Sequence, residues 1–230
     1  MPLEPAPQPS GAPSIVSDAL TRLATIGGGA ADAIKPEALN RLALASPHPV
    51  YLVDTADITS TKQLANAKLV AWRYLILDLQ APAGGQAPAG GTPVGAMELA
   101  CDPQGNNLKF ASFNVGPFVL ETLKAINAAE QFDGVKNGSF ELRGLRMPSV
   151  YVMALWLKNK STDANSQDMI VPMQPAGTMG ALPPSTLGGA VTGTQMRVDD
   201  FFRIVSPAAQ TARITNSAPD LRAGGGAPPR

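Results

Sequence analysis

One cysteine and one histidine in 230 residues narrow the chemistry open to this chain. Cys101 has no partner for an internal disulfide, and with His48 as the sole histidine the usual His/Cys zinc sets cannot be assembled. No metal is expected, and no cofactor. Aromatic residues are sparse, at 5%. Neither sign of charge dominates, since Lys+Arg and Asp+Glu both total 18. No Lys/Arg cluster stands ready to displace phosphate counterions, so nucleic acid is not an expected partner. No run approaches the ~18 apolar residues of a membrane span. The opening MPLEPAPQPSGAP lacks the basic start and apolar centre of a secretory signal. The expectation is a soluble cytoplasmic protein.

What the chain does have is glycine and proline, 22 of each, gathered at both ends and in two interior stretches. Residues 1–13, with five prolines among small side chains, read as a disordered Pro-rich tail. Residues 213–230, closing on AGGGAPPR, read as a second one. The repeat APAGG…APAGG places a flexible loop at 81–93, and Gln174 to Thr194 reads as another. Between the tails, 14–212 is expected to form one domain.

The most determined segment of that domain runs from Ser139 to Met173. Its centre, Val150 to Leu157, is uncharged, with Val150, Val152, Ala154 and Trp156 alternating against Tyr151, Met153, Leu155 and Leu157. Both sets are apolar, which predicts a strand buried on both faces. The polar stretch Asn159 to Gln167 returns the chain into Met169–Met173 as a hairpin partner, with Pro172 ending it or marking an edge. Lys68 to Leu79 (KLVAWRYLILDL) is a second central strand, carrying Arg73 on the Leu75 side. A charge there is either half of an internal ion pair or a ligand-facing guanidinium. Val94 to Cys101 and Leu108 to Val115, joined by an Asp-Pro-Gln-Gly turn, predict a further hairpin. Glu98 interrupts one of its faces, so that face is expected to be wet.

Helices are marked by period and punctuation. Ser14 is a good N-cap for a first helix over Val16, Leu20 and Leu23, and Gly27-Gly28-Gly29 stops it. The three glycines follow a helix and precede no Lys-Ser/Thr, so they are not a phosphate loop. Pro36 suits the first turn of a second helix striped by Leu39, Leu42 and Ala43 and ended by Ser46-Pro47. His48, framed by Pro47 and Pro49, reads as a surface residue of a turn before the strand Val50 to Val53. Pro117 to Gln131 is the strongest helix, with Val119, Leu123 and Ile126 on one row. Thr194 is placed to cap a last helix with Val198, Phe201, Phe202 and Val205 inside, and Pro207 to end or kink it.

Runs of adjacent strands with few intervening helices indicate an α+β domain with a mainly antiparallel sheet of about five to seven strands. Two functions of different kind fit. The first is a non-enzymatic protein–protein interaction or assembly protein, its partner another protein or a second subunit. The second is a binding protein or enzyme for an anionic small molecule, lined by Arg73, Glu98, Arg143, Arg146 and Trp156. The first requires those charges to be mutually paired; the second requires at least two to converge unpaired on a cleft. Arg143 and Arg146, flanking Gly144 at a strand end, are the candidate anion grip, with Glu141 and Glu98 as the competing partners.

Overall fold

The computed structural model describes residues 3–60, 63–80, 91–162, 165–173 and 193–217. Within them one open sheet organises the chain. Its strands are β1 (Leu3–Glu4), β2 (Leu42–Leu52), β3 (Lys68–Asp78), β4 (Thr92–Ala100), β5 (Lys109–Asn114), β6 (Phe140–Met147), β7 (Val152–Asn159), β8 (Met169–Met173) and β9 (Met196–Arg197). The spatial order is β5-β4-β3-β2-β6-β7-β8-β9. Neighbours are antiparallel except β2 with β6 and β1 with β6, which are parallel. The α+β class and the mainly antiparallel sheet are as expected, but nine strands exceed five to seven. The two extra short strands, β1 and β9, are two-residue pairings that leave no periodic signal in sequence.

Helices cover both faces. On one face, α3 (Pro117–Ala129) packs Val119, Ala125, Ile126 and Ala129 on Leu75, Leu77, Leu155, Leu157 and Val171. On the other face, α1 (Ala12–Ile26) covers Trp72, Tyr74, Ile76, Met97 and Leu99, and α5 (Val198–Ser217) covers Val152, Ala154, Trp156 and Ile170. The short helices α2 (Thr55–Ile58) and α4 (Asp133–Lys136) complete the set. No helix among the described residues is long and apolar enough to cross a membrane. The alternation within β7 sends its two apolar sets to opposite faces, so the strand is buried on both sides as the pattern requires. It begins two residues late. Pro148–Val150 form a 3-10 turn, and Tyr151 takes a left-handed φ of 53° that throws its ring into solvent.

Several expectations are corrected. The N-terminal stretch is not a free tail over its described part: Leu3 and Ala6 are buried, and β1 lies beside β6. β2 reaches β6 only through Val50, Tyr51 and Leu52, which leaves the Phe140 end of that edge open. β1 fills it, and pairing plus Leu3 burial outweigh the stiffness of a proline-rich arm. Accordingly α1 starts at Ala12, capped by Gly11 at φ 82° rather than by Ser14, and it stops at Gly27 as foreseen. The second helix is a 3-10 stretch, Pro36–Arg41, and Leu42 already belongs to β2. Leu39, Leu42 and Ala43 match helical spacing, but the ladder that β2 makes with β3 through nine of its residues, and with β6 at its end, overrides a short stripe. Thr194 caps nothing, because Met196 and Ile170 pair across β9 and β8 before α5 begins. Pro207 does not end α5 either. Val205 and Ala209 on either side of it are both fully buried, and that packing carries the helix past the missing hydrogen bond. Of the loops expected at 81–93 and 174–194 and the tail expected at 213–230, residues 81–90, 174–192 and 218–230 lie outside the described residues. Thr92 and Pro93 already belong to β4, and 213–217 continue α5.

Candidate functional site

On the face covered by α3, beyond the reach of that helix, the sheet carries a buried polar cluster. Arg73 on β3 and Glu98 on β4 stand directly opposite each other in register. Arg73 Nη1 donates to Glu98 Oε1 at 2.7 Å, and Arg146 Nη2 on β6 donates to the same oxygen at 2.6 Å. Arg73 and Glu98 are buried, whereas the Arg146 side chain is 29% exposed. Burial pushes the Glu98 carboxyl up, but the Arg146 and Arg73 guanidiniums more than reverse this and hold it below the usual carboxylate range. Burial likewise pulls the Arg73 guanidinium down, against the pull of Glu98. On β4 the Glu98 side of the hairpin is therefore not the wet face expected of it, while across from it on β5 Ser112 is half-buried and Asn114 exposed. The two cross-strand arginines cover the carboxylate, and Ala96 beside it belongs to the core under α3.

His48 is the residue sequence reasoning placed wrongly. It sits on β2 opposite Arg73 and is only 1% exposed. Pro47 and Pro49 do frame it, yet the strand absorbs them through a bulge between Ala45 and His48, with Ser46 at φ 47°. A carbonyl can only accept, so at 2.6 Å from the Ser46 carbonyl oxygen His48 Nδ1 carries a proton and donates it. Burial, helped by the positive charge of Arg73, brings its pKa from 6.5 down to about 4. Gly144 on β6 makes the room: a Cβ there would stand 3.4 Å from His48 Cδ2 and 3.3 Å from Val50 Cγ2. The proline frame was the only sequence signal, and in isolation it means a turn.

Arg143 and Trp156 lie on the opposite face, paired across β6 and β7. Arg143 Nε donates to Glu141 Oε1 at 2.6 Å. Its guanidinium lies 4.6 Å from the Trp156 ring centroid and 5.0 Å from that of Tyr51. The indole Nε1–H of Trp156 donates to Asp168 Oδ2 at 2.7 Å, and Oδ1 of that buried carboxylate accepts the Asn159 amide at 2.9 Å. The sheet thus divides the five candidate residues: Arg73, Glu98 and Arg146 meet on one side, Arg143 and Trp156 on the other. Arg143 and Arg146 do not form a shared grip, since alternation along β6 turns them apart.

Further concavities lie elsewhere among the described residues. One, of about 620 Å³, is lined by Tyr51, Lys68, Leu69, Cys101 and Pro103. Burial raises the Cys101 thiol above its ordinary value, with the Asp102 charge adding to the shift, which leaves it a weak nucleophile. Another, of about 520 Å³, opens between α1 and the outer strand β5. No protein-family model matches this chain, and neither a curated protein nor a solved structure is significantly similar to it.

Proposed function

We propose that this protein is a non-enzymatic interaction or assembly module whose polar cluster holds the sheet together and whose surface meets protein. One observation carries the reading: every charged side chain considered for ligand contact already has an internal partner. Glu98 answers both Arg73 and Arg146, and Glu141 answers Arg143. Charges engaged in this way contribute to register and packing, and an incoming ligand would have to displace them. Exposed apolar side chains complement this, with Phe110 on β5, and Val115 and Leu120 around the β5–α3 junction. They are the side chains that association would remove from water.

A second reading rests on the stoichiometry of the cluster. Two guanidiniums share one carboxylate oxygen, Arg73 Nε is buried without a hydrogen-bond partner among the described residues, and Arg146 is partly open to solvent. A small anion seated on Arg146 would satisfy that excess. Thermal melts in phosphate and in small carboxylates, for the wild type and for Arg146→Ala, separate the two. The interaction reading expects no specific shift. A compound at 100 times its dissociation constant that stabilises the wild type by about 2.7 kcal/mol, and does nothing for the variant, replaces it with the anion-binding reading.

A further inference from the structure

The outer edge of β5 and the groove beside it form one surface. β5 ends the sheet, and its outer backbone groups meet no strand among the described residues. A bulge opposite Glu98 and Leu99 sets Leu99 against Phe110 and Met97 against Phe113. Both phenylalanines therefore face α1, although three residues apart in a regular strand they would face opposite ways. Phe113 is buried in the core, while Phe110 stays 45% exposed at the mouth of the groove. Across from it, at the end of α1, Ile26 is 79% exposed. Leu23 lines the floor, and Asp18, Arg22 and Lys109 stand around it. None of these three charged side chains has an ion-pair or hydrogen-bond partner among the described residues.

We infer that this surface seats a second copy of the chain, the two β5 strands meeting edge to edge about a two-fold axis. The inference rests on the interaction reading above and names its partner. A two-fold interface must be complementary to itself, and this patch is. It holds both a hollow and two apolar projections, Phe110 and Ile26. It also holds both signs of charge, Asp18 against Arg22 and Lys109. An unrelated extended peptide would need only the edge and the hollow. The whole chain carries 18 charges of each sign, so no net repulsion opposes association of two copies. The bulge and Lys109 guard against indiscriminate pairing, because a lysine on an exposed edge admits a neighbour only where a carboxylate meets it. A second copy brings that carboxylate as Asp18.

Sedimentation velocity on the full chain over about a hundredfold range of concentration tests this. The wild type is expected to pass from monomer to dimer as concentration rises. Phe110→Asp and Ile26→Asp are each expected to weaken dimerisation more than about tenfold. Both positions are exposed, so far-UV circular dichroism should stay that of the wild type. Amide exchange across residues 109–114 should slow in step with the dimer fraction. A wild type that is monomeric throughout overturns the inference, as does a dimer that survives both substitutions or leaves β5 amides unprotected. A monomeric wild type counts against this partner alone, whereas anion stabilisation lost in Arg146→Ala removes the interaction reading itself.

Discussion

At the scale of single residues, the sheet centre is set by one carboxylate and one imidazole. Glu98 neutralises two buried or half-buried cations, so Glu98→Ala leaves Arg73 desolvated and unpaired. The expected cost is roughly 3–5 kcal/mol in urea denaturation. Arg143→Ala, on the opposite face, removes a more exposed pair and a stacked guanidinium, and should cost only about 1 kcal/mol. His48 links stability to pH. Its pKa is about 4 folded against 6.5 when free of the fold, so between those values the unfolded chain binds a proton that the native chain refuses. Stability is therefore complete above the higher value and falls as pH drops toward the lower one, by about 3 kcal/mol in total. His48→Asn keeps a donor for the Ser46 carbonyl and does not titrate. Its stability should be flat from about pH 6.5 to about pH 5, measured by urea melts at stepped pH, while the wild type slopes. Below that, protonation of the lowered Glu98 carboxylate destabilises both.

At the scale of elements, β4 and β5 are fitted to each other by a missing side chain. A Cβ on Gly95 would fall 2.3 Å from Phe113 Cζ and 3.1 Å from the Asn114 carbonyl oxygen. The Phe113 ring lies over the bare backbone of Gly95 and closes the core under α1. Gly95→Ala should cost roughly 1–3 kcal/mol through overpacking. Phe113→Leu in the same chain should recover part of it, read as a rise in melting temperature from the single to the double variant. A simple loss of strand propensity at position 95 would show no such recovery.

At the scale of the whole molecule, the sheet is completed from both ends of the chain. β1 fills the part of the β6 edge that β2 does not reach, Ser139 Oγ donates to Glu4 Oε1 at 2.8 Å, and Lys160 pairs with Glu4. Deleting residues 1–10 therefore removes a docked strand and the buried Leu3 and Ala6. About 3 kcal/mol of burial is lost, and the melting temperature should fall by roughly 6–12 °C for a domain of this size. An unchanged melt would mean that the N-terminal arm is the free tail its proline content suggests.

Local pattern was enough to place β3, β7 and β8, the β4–β5 hairpin, α3 and the inner face of α5. In the strands β3, β7 and β8 and in both helices the period of apolar residues and the burial agree, because one repeating geometry decides both. For the β4–β5 hairpin the pattern placed the strands but not their faces. Pairing partners were legible for neighbours in sequence, such as β7 with β8. What the tertiary structure alone decided depends on contacts between distant parts of the chain. Leu42 to Ser46 became strand because β3 offered a ladder, and residues 3–4 were ordered because β6 had a vacant edge. His48 was buried because Gly144, 96 positions later in the chain, leaves space for its ring. The five candidate residues were separated by the pleat of β6 and the order of the strands around it. No residue-by-residue reading contains that order, since it is a free-energy balance among all the edges of the sheet at once.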